Sequence, residues 1–238
     1  MAANWKVLYE TQALGVWALL VLPALFLGAL AVRGFARGRG VEPYAARFVR
    51  WWAVVFAIEI LLDPIATGPF AVPMLPFVLL GDFRVFALVL VVMQPGRARP
   101  AALLEAAAWT LVVPLVALGT HRALIATMGP LPDQTLWLAH EIPFTLLAIG
   151  MAAWLVPARV GAERGAVRRY VRAVLGFVAG YYALWALADV LILSGRDGGW
   201  GLRVVPNLLY YGVFVPAAYQ RFFASRYAAS STSTHTAR

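Results

Sequence analysis

The sequence predicts an all-α protein, a polytopic membrane helical bundle of about seven transmembrane helices with the N-terminus outside and the C-terminus in the cytoplasm. Three observations carry this. The 238-residue chain is 62% hydrophobic and only 13% charged, against about a quarter charged in soluble domains. Its charges are bunched, leaving apolar runs of roughly 20 residues, the length that crosses a bilayer core as one helix. The basic residues also alternate in density from one connection to the next, as the positive-inside rule describes. Helix is the spanning form because lipid offers no partner for free backbone groups, and the alternating pattern of a membrane barrel is absent.

The spans read as 11–32, 48–66, 70–94, 101–119, 136–156, 171–193 and 203–223. The first connection carries Arg33, Arg37, Arg39, Arg47 and Arg50, and the third Arg97 and Arg99. The fifth carries Arg159, Arg164, Arg168, Arg169 and Arg172, and the C-terminal end Arg221, Arg226 and Arg238. The other side holds Lys6, Arg122, Arg196 and Arg203, so the count is 15 against 4, with Arg84 inside a span. A six-helix reading would put basic connections on both sides. The net charge of +9 is thereby used for orientation, and no nucleic acid partner is expected.

The first span is too long for a signal-peptide core, lacks a basic start and is followed by an arginine cluster, so it is expected to be retained. Residues 1–227 then form a single transmembrane helical domain, and the Ser/Thr-rich 228–238 a disordered polar tail. The lipid bilayer is the expected partner. Arginine outnumbers lysine nineteen to one and alanine is abundant, as in GC-rich bacterial genomes, which points to a bacterial inner membrane. With no cysteine, disulfides and thiolate chemistry are excluded.

Trp51, Trp52, Trp137, Trp154 and Trp200 mark expected interfaces. Pro64, Pro69, Pro73 and Pro76 predict a kinked or partly unwound corner between the second and third spans. Trp51 to Leu62 aligns with Tyr181 to Ile192, matching aromatics, alanine, the acid (Glu59, Asp189) and the aliphatic run. This alignment suggests a 3+1+3 parallel repeat of the kind transporters use, although short apolar segments also match by chance.

Six carboxylates fall inside the spans: Glu59, Asp63, Asp82, Glu105, Glu141 and Asp189. Each costs about 2.5–3.5 kcal/mol at the centre of a lipid-facing helix, so the set is expected to face the bundle interior. Glu59 and Asp63 are four apart and share a helical face. Tyr182, Trp185 and Asp189 share another, and Asn207, Tyr210, Tyr211 and Phe214 form a stripe on the last span. Depth counting brings Glu59, Asp63, His140, Glu141, Asp189 and Asn207 to the outer half of the membrane. Glu105 lies near the cytoplasmic end, within reach of water or an arginine. Asp82 and Arg84 are two apart and do not face each other on a helix. They serve as a structural ion pair, find separate partners such as Glu59 for Arg84, or flank a local unwinding at Gly81.

His140-Glu141-Ile142-Pro143-Phe144 begins like a zinc-protease helix but has Phe144 where the second histidine belongs. A retinal protein needs a lysine in its last helix, and the one lysine is Lys6. No cofactor is implied, although Glu59, Asp63 and Glu141 could form a carboxylate metal site. The leading expectation is a membrane-embedded enzyme acting on a lipid or isoprenoid by carboxylate acid/base chemistry. Glu59, Asp63 and Asp189 would be catalytic, and Arg84, His140, Glu141, Tyr182, Trp185, Asn207 and Tyr211 would contact substrate. The alternatives are a proton- or cation-coupled transporter and a non-catalytic subunit of a membrane complex.

Overall fold

The run Leu75–Met93 carries only two charges, and its single proline, Pro76, falls in the first turn, where a missing N–H costs nothing. In the computed structural model it forms one uninterrupted helix, α2. The structure describes residues 4–10, 25, 26, 29, 33, 51, 54, 55, 58, 75–94, 99–214, 217 and 218. Among these no strand occurs, in keeping with the predicted all-α class. The corner from Asp63 to Pro73 lies outside the described residues, as do Glu59, most of the first two spans and the polar tail. The first half of the aligned repeat is likewise largely outside them.

A short helix α1 (Trp5–Glu10) precedes α2. After α2 come α3 (Arg99–Met128) and α4 (Gln134–Gly150). A π-helical stretch, Met151–Leu155, carries α4 into a last turn, α5 (Val156–Arg159). A single 3-10 turn, Ala162–Arg164, leads into α6 (Gly165–Leu193). The chain then turns into α7 (Gly198–Asn207), which continues as a π-helical stretch over Leu208–Val213. Three stretches, Pro100–Met128, Gln134–Arg159 and Ala162–Leu193, are long and apolar enough to cross a membrane. Leu104, Leu115, Leu146 and Trp154 on them are each more than 60% exposed. An apolar surface of that extent suits lipid rather than water.

Helix α2 is the core of the described bundle. From Val85 to Met93 every residue is buried, as expected of a helix apolar on all sides. Helices α3 and α6 pack against it, α4 reaches it through Phe144 on Phe86, and α6 packs along α4 and α7. Helix α3 runs nine residues beyond the predicted end of span four, because nothing between Gly119 and Met128 stops it before Gly129 and Pro130. Gly81 lies within continuous helix, so no unwinding separates Asp82 from Arg84.

The α6–α7 turn is closed by backbone chemistry. Gly195 takes a φ of +78°, a conformation that favours glycine. Its N–H donates to the carbonyl of Ile192, and that of Arg196 to the carbonyl of Leu191, the paired pattern of a Schellman stop. A Cβ at Gly199 would lie 2.7 Å from the Ala188 carbonyl, so the missing side chain lets α7 start hard against α6. Asp197 accepts hydrogen bonds from the Trp5 and Lys6 amides at 2.8 and 3.0 Å. Those are orphan donors of α1, and the contact ties the N-terminal helix to the turn.

Candidate functional site

Asp82 is fully buried on α2 and faces two other helices. Its Oδ1 accepts a hydrogen bond from the Tyr182 hydroxyl of α6. His140 of α4 brings Nε2 to 3.1 Å from Oδ2, although that contact lies off the hydrogen-bond axis. Tyr182 is held by stacking on Phe144, with ring centroids 4.1 Å apart and planes 19° apart. Phe144 sits one turn beyond His140 on α4, so the residue that breaks the zinc motif builds the wall of this site. An acid, an imidazole and a phenol thus converge from three helices, all in the interior.

A second cluster adjoins the first through the neighbouring position on α4. Arg203 of α7 donates from Nε and Nη2 to the two oxygens of Asp189 at 2.6 and 2.7 Å. Glu141 lies 3.6 Å from Nη2 of the same guanidinium. One turn away, Trp185 donates to Asn207 Oδ1 and Asn207 Nδ2 donates to the Tyr9 hydroxyl, both at 2.9 Å. Both ends of the Asn207 amide are therefore used, which fixes its orientation.

The local sequence explains these positions. Asp189 with Arg203, and Trp185 with Asn207, are pairs centred on Arg196, so an antiparallel hairpin turning there brings each pair level. Glu105 and Arg159 pair at 2.5 Å in the same way across the α3–α4 turn, and Glu105 thus reaches an arginine. Pro143 and Pro206 remove amide donors one turn after Ala139 and Leu202. Each freed carbonyl belongs to the residue just before a site residue, His140 or Arg203.

Asp82 and Arg84 turn to different neighbours. Arg84 is buried, donates from Nη2 to the Tyr210 carbonyl at 3.3 Å, and lies 4.4 and 4.3 Å from the Tyr210 and Phe214 ring centroids. Tyr211 packs edge-on against Tyr210. The structure therefore brings together Asp82, His140, Glu141, Tyr182, Trp185, Asp189 and Asn207, with Arg84 and Tyr211 beside the aromatic stripe. Glu59 and Asp63 lie outside the described residues. The charge pattern of the sequence places Arg203 with the connection before the last span. It is instead an interior residue of α7, its side chain only 12% exposed, because the helix begins five residues earlier, at Gly198. Hairpin symmetry about Arg196 was the signal that could have found it.

Comparison of the chain with protein-family models, curated proteins and solved structures returns no match.

Proposed function

We propose that the protein is a membrane-embedded enzyme that acts on a lipid or isoprenoid by acid/base chemistry centred on Asp82, His140 and Tyr182. It would lie in a bacterial inner membrane as a seven-helix bundle, N-terminus outside, with the α6–α7 turn on the outer side. The observation that carries the reading is the meeting of these three residues from three helices in the buried interior. An intramembrane ionisable residue is expensive and is by default a functional candidate.

An imidazole offers one nitrogen that donates and one that accepts, so His140 is the group suited to pass a proton to or from a substrate. Asp82 orients it, and Tyr182 fixes Asp82 through one oxygen. The bidentate grip of Arg203 on Asp189 is the geometry of an ionised pair, which fits positioning better than proton donation for Asp189. The Tyr182 and Trp185 rings are of the type that stabilises a developing positive charge.

The test compares membrane lipids from four strains: gene deleted, complemented with wild type, complemented with Asp82→Asn, and complemented with His140→Ala, at matched protein levels. A product that returns only with wild type is expected. Identical lipid profiles in deleted and wild-type strains would defeat the enzymatic reading.

A second reading, proton- or cation-coupled transport, is favoured by one observation: Arg203 stands between two carboxylates, Asp189 and Glu141. Its signature would be pH-gradient-driven uptake into liposomes containing the purified protein, reduced by Glu141→Gln.

A further inference from the structure

The Asp189–Arg203–Glu141 cluster sets two carboxyl groups against one guanidinium. Arg203 spends its directed hydrogen bonds on Asp189, Nε on one oxygen and Nη2 on the other. Glu141 receives only the 3.6 Å approach of Nη2 to Oε1. Its other oxygen, Oε2, is buried and has no hydrogen-bond partner among the described residues, and the residue is 4% exposed. A carboxylate left in that state carries an uncompensated charge in a poor solvent, which is strongly disfavoured.

Among the described residues the surroundings supply no second cation to Glu141. On its own helix His140 is turned to Asp82. From α6 come Asp189 and Tyr182, and from α2 Asp82, all acids. From α7 comes Arg203, shared as described, and from α1 Tyr9, whose ring lies 5.9 Å from the Arg203 guanidinium. By the hairpin register of Glu105 and Arg159, α3 carries His121 near the level of Pro143. Lys6 pairs with Glu10 at the exposed end. Among the described residues no group of three or more acids and histidines is arranged to hold a metal ion. A proton needs no such shell.

We infer that Glu141 is a proton-binding carboxyl, so that the Asp189–Arg203–Glu141 cluster holds one exchangeable proton inside the helix bundle. Uptake of that proton leaves Asp189 and Arg203 as a neutral pair. Its release would draw the guanidinium towards Glu141 and loosen its grip on Asp189, which couples the proton to the packing of α7 on α4 and α6.

The test uses full-length protein in lipid nanodiscs at neutral pH and reads the infrared carbonyl stretch of protonated carboxylic acids. The protein is isotope-labelled at the carboxyl carbon of glutamate or, separately, of aspartate. A band that moves with glutamate labelling and is missing from Glu141→Gln is the expected result. In Glu141→Asp a corresponding band should respond to aspartate labelling instead. Absence of a glutamate-sensitive band in the wild type overturns the inference, as does such a band surviving unchanged in Glu141→Gln. If Glu141→Gln does not fold, Glu141→Asp decides: an undiminished glutamate-sensitive band there overturns it. No substrate is involved, so the outcome is independent of the enzymatic reading.

Discussion

Arg203 holds Asp189 through two parallel hydrogen bonds of 2.6 and 2.7 Å, and the carboxylate is wholly buried. The guanidinium plane matches the carboxylate fork, which is why arginine rather than lysine suits the position. The pair joins α6 to α7 at the level where Glu141 of α4 also arrives.

Removing Arg203 alone should cost more than removing it together with Asp189. Arg203→Met leaves the Asp189 carboxylate a buried charge without its partner, a loss of about 3–5 kcal/mol, whereas Asp189→Leu leaves Arg203 with Glu141 and should cost less. The double variant removes both charges and should be clearly more stable than Arg203→Met. Unfolding of the four purified chains in detergent checks this. Additive losses would mean the pair is not coupled as its geometry indicates.

Tyr182→Phe should separate a hydrogen bond from a stacking contact. The ring still stacks on Phe144, but Asp82 loses its hydroxyl donor. Stability should fall by about 1–3 kcal/mol, the cost of an unsatisfied buried acceptor, with the fold retained. Under the proposed function, His140→Ala should slow product formation by about 10²–10⁴-fold, the usual worth of a positioned acid/base. Circular dichroism and quantitative lipid analysis read the two effects separately.

Gly81→Ala should be destabilising despite being conservative in a helix. The added Cβ would overlap the Tyr210 hydroxyl and lie 2.6 Å from the adjacent ring carbon. Tyr210 must then move, and Arg84 rests against its ring and carbonyl. Adding Tyr210→Phe removes the worse contact and should restore part of the lost melting temperature.

Asp197→Ala should release α1 without disturbing the rest of the bundle. The carboxylate satisfies two amides of α1, and loss of such a cap costs about 0.5–2 kcal/mol. Hydrogen exchange should rise over residues 5–10 while α6 stays protected. Exchange that rises equally in α6 would show that α1 and the core open together.

The helices were largely legible because a long uncharged apolar run leaves lipid-spanning helix as its satisfied state. The predicted spans 136–156 and 171–193 fall within the observed helices. The shared face of Tyr182, Trp185 and Asp189 was also legible, since helical spacing is local. Convergence on Asp82 was not. Its partners lie 58 and 100 residues away, and which helices adjoin is a packing outcome that periodicity does not encode. Arg203 was hidden for a different reason. Charge counting assigns an arginine near a helix end to the water phase, and a shift of five residues in the helix start reverses that assignment.

The turn that Gly195 closes is exposed, and by ordinary reasoning an exposed turn tolerates insertions. Here it works as a calliper. Each residue of α7 is rotated about 100° from the next, so one residue added between Ser194 and Asp197 would swing Arg203 and Asn207 off their partners together. Substitutions on that surface can be silent while a change in its length dismantles a buried layer far from it. In this protein a short exposed loop carries the alignment of the interior.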